Sequence, residues 1–547
     1  MMEQEKPWHQ HYQGHVNENF AIPEVSLTQV LQNAAIQFGD QISITFYQKT
    51  WTFKQVYGMA EHFASCLAEW GFTKGDRLAL MLPNTPHYIF SFFGALRLGG
   101  IVTQVNPMYV EREIEYVLND AQVEHMVVFD AFYHRVKSVQ HRTSLKRLIV
   151  VSLGTSSLEL EEDDVFFDDF MKAPTEPAPQ VEIHPKDDLA VLQYTGGTTG
   201  VSKGVMLTHY NIVANIEQLH EMIWRHLKNA PDNAKVMNVT PMFHILGLSC
   251  ITLLSFRAGS NQIVLPRFDL PEVMETIRRE QPFKFPGVPT MFIALNSVPN
   301  LGEAGIESIQ YYASGGAAMP IEQLHLLERQ TGKHLYEGYG LSEAAPVTHF
   351  NPPFRERQAG SIGIPLPLTD ARVVSLADGR EAPYGEVGEL VVKGPQVMKG
   401  YWRRLEDTAA VLKDGWLYTG DLARMTEDGI FTIVDRKKDM IIASGYNVYP
   451  REIEEVLYQH PAVLEAVVIG IPDEYRGETV KAYIAPKPGV SVTEEEIIEY
   501  CRIELAAYKV PRLVEFRQQL PKSAVGKLLK RTFRDEELKK RSQTATE

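Results

Sequence analysis

Along most of the first 435 residues, apolar runs short enough for single strands alternate with longer stretches whose apolar residues recur every three or four positions. The runs include RLALML (77–82), HMVVFD (125–130), LAVLQY (189–194), QIVLP (262–266) and GELVVKG (388–394), while SLTQVLQNAAIQF (26–38) carries the helical period. Strands separated by helices need crossover connections, so the pattern predicts an α/β fold on largely parallel sheets. WLYTGDLARMTEDGIFTIVDR (416–436) departs from it and predicts short strands about the Glu427-Asp428-Gly429 turn, a β-rich third part of a large unit. After Lys438 a smaller plan begins. It has a helix with Pro450 in its first turn, strands VLEAVVIGI (463–471) and VKAYIAP (480–486), and a helix opened by Thr493 with Glu496 three positions on, a capping-box pair. The expected division is a large N-terminal unit at 1–435, a hinge at 436–439 and a small α+β unit at 440–547. The acidic run ELEEDDVFFDD (159–169) reads as a surface loop.

A chain of 547 residues exceeds one ordinary domain, and 44% hydrophobic with 22% charged residues is a globular composition. The longest nearly apolar stretch, 245–256, is too short to span a membrane, and MMEQEKPWHQHYQ at the start has no secretory signal pattern. Cys66, Cys250 and Cys501 are too far apart for a disulfide framework or metal-ligand spacing, so a reducing cytoplasm is the expected setting. The net charge of -15 argues against a nucleic-acid partner. An anionic ligand must then meet local positive charge, and DRKKD (435–439) and PKSAVGKLLKR (521–531) are candidates, though such runs equally make solvated faces.

The stretch YTGGTTGVSKG (194–204) holds four glycines, three threonines, a serine and a lysine. Glycines let backbone N–H groups approach an anion, hydroxyls donate, and a lysine adds charge, which together describe a phosphate cradle. It is not the G-x-x-x-x-G-K-[ST] loop, because Gly204 follows Lys203. Nor does it read as a linker. A buried strand (188–194) leads into it and THYNIVANIEQLHEMI (208–223), with Ile212, Ile216, Leu219 and Ile223 at helical spacing, follows, so the expected order is strand, loop, helix.

With this loop stand PMFHILG (241–247), ASGGAAM (313–319), YEGYGLSEAAP (336–346), YTGD (418–421), DRKKDMIIASGYNVYP (435–450) and PKSAVGKLLKR (521–531). In that order, and over nearly the whole chain, they resemble the adenylate-forming superfamily of acyl-CoA synthetases, luciferases and peptide-synthetase adenylation domains. The wording and length are most like bacterial long-chain fatty acid–CoA ligases. Two positions differ from a common family pattern: Gly196 stands where Ser is frequent and Ser202 where Pro is frequent.

The resemblance implies roles. Thr195, Gly196, Gly197, Thr198, Thr199, Gly200 and Lys203 would handle the β- and γ-phosphates of ATP. Gly315, Gly316 and Ala317 would flank the adenine, Tyr339 would lie against it, and Glu337, Gly340 and Ile433 would complete the nucleotide site. Ser342 would touch phosphate, and Glu343 and Thr198 would hold Mg²⁺, a hard ion that takes few carboxylates beside phosphate oxygens and water. Asp421 would accept the ribose hydroxyls with Arg436 as its partner. His244 would orient the substrate carboxylate, and Lys527 would bridge that carboxylate and the α-phosphate. Taken alone, His244 is equally a core histidine, Asp421 a turn residue and Lys527 a solvated lysine.

The implied reaction is attack of a carboxylate on the α-phosphorus of ATP, followed by transfer of the acyl group to a thiol. Coenzyme A is the expected thiol, met by Ser444, Gly445 and Tyr446 after a rotation of the small unit about Lys438. The expected substrates are a fatty acid, ATP and CoA, with Ile245, Leu246, Leu248, Phe283, Phe285, Met291 and Phe292 as candidates for an acyl tunnel. Medium-chain or aryl acids, a carrier protein in place of CoA, a light-emitting oxygenase and a non-catalytic nucleotide binder are the rivals. A homodimer and peripheral contact with a membrane stay open.

Overall fold

The structure is a computed structural model that describes residues 6–544 apart from 18–19, 155, 173, 175, 196–201, 444, 474–475 and 525, with 541–544 as backbone. Among the described residues the strands form four sheets. The first centres on the parallel strands Ile101–Gln104, Arg77–Met81, His125–Phe129 and Arg147–Val151. Their side chains are almost wholly buried because helices cover both faces, which explains why they read as unbroken apolar runs. Helix Pro86–Arg97, opened by the Thr85 side chain and Pro86, is buried on nearly every side and packs on helix Phe53–Glu69 within the shared core.

The second sheet runs Ile364–Pro365, Val347–Phe350, Leu335–Gly340, Tyr311–Ser314, Lys284–Gly287, Lys235–Asn238, Asn261–Val264, Ile42–Phe46, Lys49–Thr52. Its N-terminal strand Ile42–Phe46 pairs parallel with Asn261–Val264, so the chain's beginning closes the edge of a sheet made mostly of later residues. Strands Lys284–Gly287, Tyr311–Ser314 and Leu335–Gly340 are parallel neighbours and end side by side. Such carboxyl ends are where open α/β sheets place their ligands.

The order strand, loop, helix is corrected in one respect. Lys203–Thr208 is a strand that returns antiparallel along Leu189–Thr195 before helix His209–Met222 begins. Val205 and Leu207 are buried in this strand, which lies between Leu189–Thr195 and the two-residue strand Gly400–Tyr401, and the adjoining glycine loop obscures its alternation. The acidic run is corrected as well. Phe167 and Phe170 of the short helix Phe167–Phe170 are buried, and so is Asp164, whose carboxylate accepts from Tyr133 Oη (2.8 Å), Lys137 Nζ (3.0 Å) and Leu148 N (2.9 Å). Glu159 and Glu161 to Asp163 are exposed as a surface loop would be, and the chain turns inward only from Asp164, through Phe167 and the adjoining Phe170.

The third sheet contains the hairpin Trp416–Met425 and Phe431–Arg436, whose first arm is ten residues long rather than short. The fourth takes its strands from Ile441–Ala443 to Leu513–Phe516 and is flanked by helices Pro450–Gln459 and Glu494–Glu504. Thr493 and Glu496 form the anticipated capping box. This last portion leans on the rest through Arg451, whose Nη1 donates to the Ile433 carbonyl at 2.7 Å, and through Glu455, which accepts from Ile321 N at 3.2 Å.

Candidate active site

A continuous cavity of about 1520 Å³ lies where the carboxyl ends of the second sheet face the third sheet and the C-terminal portion. Thr195 and Lys203 line it from the two arms of the glycine-loop hairpin, where they are cross-strand partners. Gly196, Gly197, Thr198, Thr199 and Gly200 lie outside the described residues. Lys203 Nζ donates to Asp407 Oδ1 at 2.5 Å and stands 5.2 Å from the centre of the Tyr401 ring. The Tyr401 hydroxyl donates to Glu343 Oε1 at 2.8 Å. A chain of contacts thus links the base of the glycine loop to Glu343.

Glu343 sits in the short turn Ser342–Ala344 that follows strand Leu335–Gly340. The chain doubles back so tightly there that a Cβ on Gly340 would stand 2.2 Å from the Pro346 carbonyl oxygen, so no other residue fits without moving backbone. This return brings Ser342 and Glu343 to the cavity wall. One strand residue earlier, Tyr339 donates from its hydroxyl to Asp421 Oδ2 at 2.6 Å. Asp421 and Arg436 are partners across the long hairpin, with Arg436 Nε 3.3 Å from Asp421 Oδ1. Burial and then the Asp421 charge hold the Tyr339 phenol well above its usual range, so it stays a donor.

His244 accepts from Leu246 N at its Nδ1, 3.3 Å away, which leaves Nε2 to carry the proton of the neutral ring. Burial, and then Lys527, push its pKa down to about 3, so the imidazole is neutral at ordinary pH. Lys527 arrives from the C-terminal portion. A Cβ built on Gly316 would lie 3.8 Å from Lys527 Cε, so the lysine stem passes over that glycine. Burial, then Arg436, lower the ammonium's pKa to about 8 against the opposing pull of Asp421 and Glu343. Gly315, Gly316 and Ala317 line the cavity at the end of Tyr311–Ser314. Glu337, Gly340 and Ile433 line it too. Glu337 accepts from Gly360 N at 3.0 Å, and burial raises its carboxyl to about 7 against that N–H, Arg451 and Arg357.

Several expected residues lie elsewhere. Gly445 and Tyr446 stand on an exposed hairpin outside the cavity, with Tyr446 stacked on Tyr508 at 4.5 Å, and Ser444 lies outside the described residues. Lys438 lines the cavity's edge in the turn after Arg436, where Asp439 N donates back to the Arg436 carbonyl at 2.9 Å. Of the tunnel candidates, Ile245 and Leu246 reach the cavity. Leu248, Phe283, Phe285, Met291 and Phe292 are corrected to core residues, because they occupy the sides of their helices and strands that pack inward. The apolar arm of the cavity is instead walled by Leu219, Ile223, Ile251 and Leu254, the last two from the π-helical turn Leu246–Leu253 and the helix after it. Cys250 lines it as well, its thiol pushed up to about 12 by burial, so it is no nucleophile.

Tyr401, Asp407 and Arg451 were not anticipated; each acts on a partner remote in sequence. Among the described residues no three His, Cys, Asp or Glu side chains converge as a metal cage, and no helix is long and apolar enough to cross a membrane. A single carboxylate beside phosphate oxygens is nevertheless a fitting donor set for Mg²⁺, and Glu343, which lines the cavity and accepts from Tyr401 at Oε1, would fit that role.

A family model described as AMP-binding enzyme matches residues 31–402, and one described as AMP-binding enzyme C-terminal domain matches 452–527. The long-chain-fatty-acid–CoA ligase of Bacillus subtilis (strain 168) is 43% identical, covering 98% of this chain and 99% of its own. Its counterpart from Escherichia coli O6:H1 is 40% identical, covering 93% and 94%. Among solved structures, ATP-bound MatB from Rhodopseudomonas palustris has a TM-score of 0.85 at 27% identity, covering 94% of this chain and 99% of its own. The anthranilate CoA ligase AuaEII in complex with anthranoyl-AMP has 0.87 at 25%, covering 96% and 99%. By the match of both models and by full-length identity above 40%, this chain belongs to the AMP-binding enzyme family of adenylate-forming ligases.

Proposed function

We propose that this chain is a fatty acid–CoA ligase that activates a long-chain acid as its acyl-adenylate and then passes the acyl group to coenzyme A. The observation that carries the reading is the meeting of Lys527 with Glu343, Asp421 and Arg436 in a cavity that continues into an apolar arm. A fatty acid lying in that arm presents its carboxylate near His244, whose Nε2–H is a neutral donor and adds no competing charge. The carboxylate oxygen bonds to the α-phosphorus as the bond to pyrophosphate breaks. Lys527, placed between the two anions, offsets their repulsion and stabilises the charge that builds on the α-phosphate. Asp421 accepts the ribose hydroxyls in place of the Tyr339 hydroxyl and Arg436, and Lys203 exchanges Asp407 for phosphate. When Mg²⁺ is bound it neutralises phosphate charge, and Glu343 with Thr198 would hold it.

AMP is then the leaving group for thiol attack, which no enzyme nucleophile needs to assist. For this half, the small unit turns about 436–439, withdraws Lys527 and brings Gly445 and Tyr446 to the pantetheine arm. The test is pyrophosphate release with ATP, Mg²⁺ and fatty acids of graded length, with and without CoA, while AMP and acyl-CoA are followed. CoA-dependent turnover that peaks at long chains is expected. Release indifferent to CoA would move the acceptor to a carrier protein, and no release with any acid would overturn the reading.

A further inference from the structure

In the wall of the apolar arm, away from the nucleotide end, stands a cation. Lys284 begins strand Lys284–Gly287 and lines the cavity, as does Tyr311, its cross-strand partner at the start of Tyr311–Ser314. The other ends of these strands, Gly287 and Ser314, line the nucleotide end of the same cavity. Three residues of parallel strand separate the two levels, about 10 Å of rise. Lys284 alternates with Phe285, so that Lys284 and Pro286 face the cavity while Phe285 enters the core.

Lys284 as a residue is only 4% exposed. Its Nζ lies 5.2 Å from the centre of the Trp224 ring and 5.4 Å from that of Tyr311. Among the described residues it has no hydrogen bond and no carboxylate partner. The Tyr311 hydroxyl is buried without a hydrogen-bond partner beside it. Burial pulls the lysine down to about 8, the nearby Cys250 opposing, which leaves the ammonium the main form at neutral pH. Two aromatic faces stabilise a cation partly, but an ammonium in an apolar wall is costly without an anion. A fatty acid ending in a methyl group would leave it so.

We propose that Lys284 and Tyr311 form a specificity subsite for a second carboxylate part-way along the acyl arm, so that besides longer fatty acids this ligase takes α,ω-dicarboxylic acids short enough to span the distance from the adenylation end to Lys284. The inference rests on the ligase reading and names its substrate class. One carboxylate occupies the adenylation end and is activated there; the other accepts from the ammonium and the phenol together and leaves the reaction unchanged. A carboxylate is the smallest terminal anion an acyl chain can carry, and its two oxygens suit two donors.

The test compares kcat/KM of the full-length enzyme for monocarboxylic and α,ω-dicarboxylic acids of equal, graded length, by pyrophosphate release, in wild type, Lys284→Met and Tyr311→Phe. In wild type, a dicarboxylic acid of matching length should be activated at least as well as its monocarboxylic counterpart. Removing one partner of a buried charge pair should lower the dicarboxylate-to-monocarboxylate ratio by about 30-fold or more in Lys284→Met. Loss of a single neutral hydrogen bond should lower it by about two- to tenfold in Tyr311→Phe. Thermal melting checks that each variant folds; if Lys284→Met does not, the wild-type ratio and Tyr311→Phe decide. Monocarboxylates activated with a ratio that neither variant changes, or with no dicarboxylate activated at all, would overturn this inference alone and leave Lys284 as a cation held by two rings. No acid activated would instead overturn the ligase reading beneath it.

Discussion

Lys527 stands among charges of both signs, and their balance decides when it is charged. Burial and Arg436 favour the neutral amine, Asp421 and Glu343 the ammonium, and the outcome is a pKa of about 8. Because this value is lowered, the ammonium is complete well below pH 8 and lost above it. If adenylation needs the ammonium, kcat/KM for pyrophosphate release, which reports the free enzyme, should fall as pH rises through about 8. His244, neutral down to about pH 3, should contribute no limb near its ordinary pKa. Lys527→Ala should cut pyrophosphate release by about 100-fold or more while sparing thioester formation from supplied acyl-adenylate. Equal loss of both halves would remove the lysine from the adenylation step. Glu343, Asp421, Arg436 and Lys527 were legible because each sits in a local string of distinctive residues. Tyr401 and Asp407 were not: their partners Glu343 and Lys203 lie 58 and 204 residues away, and a lone tyrosine or aspartate carries no spacing signal. Lys284 was passed over for the same reason, since one lysine among aromatic neighbours says nothing of which way it faces.

The loop that carries Lys527 comes closest to the body of the enzyme at Gly526. Gly526 has φ +74, and a Cβ there would stand 2.3 Å from Thr290 Oγ1. Gly526→Ala would therefore meet both a left-handed backbone, costing about 1–2 kcal/mol, and a side chain in the way. A displacement near 1 Å at a reacting group can cost about 100-fold in rate, so pyrophosphate release should fall by that order while the thioester half-reaction is spared. Adding Thr290→Ala should recover part of the loss, because it removes the clash and not the backbone strain; no recovery would mean that Thr290 does not seat the loop. Elements of this kind were legible where periodicity is long and unbroken, as in 26–38 and 450–459. The strand Lys203–Thr208 was missed because a six-residue alternation beside a glycine loop is too short to stand out, and the acidic run misled in its second half, where buried Phe167 and the adjoining Phe170 draw the chain inward. The tunnel aromatics were misplaced because hydrophobicity marks burial and not the side of burial.

At the scale of the whole molecule, the structure presents one arrangement of its parts, with Lys527 in the cavity and Gly445 and Tyr446 at the surface. Motifs for both half-reactions were readable along the chain, yet their order cannot say which of them share a cavity at one time. If one cavity serves both steps, the C-terminal portion must leave this arrangement, and what holds it is visible. Helix Ile321–Thr331 abuts helix Pro450–Gln459, where Ile321 N donates to Glu455 Oε2 at 3.2 Å, and Arg451 reaches the Ile433 carbonyl. These contacts are few and partly exposed, as a surface meant to separate requires. Cysteines at Ile321 and Glu455, joined by a short bifunctional thiol reagent, would lock the parts together; the native Cys66 and Cys501 are buried, and Cys250 faces the inner cavity. The locked enzyme should release about one equivalent of pyrophosphate, hold acyl-adenylate and form almost no acyl-CoA, while the same double variant without the reagent turns over normally. Continued acyl-CoA synthesis by fully cross-linked protein would show that both halves proceed without rotation, and the pantetheine arm would then have to enter beside Lys527.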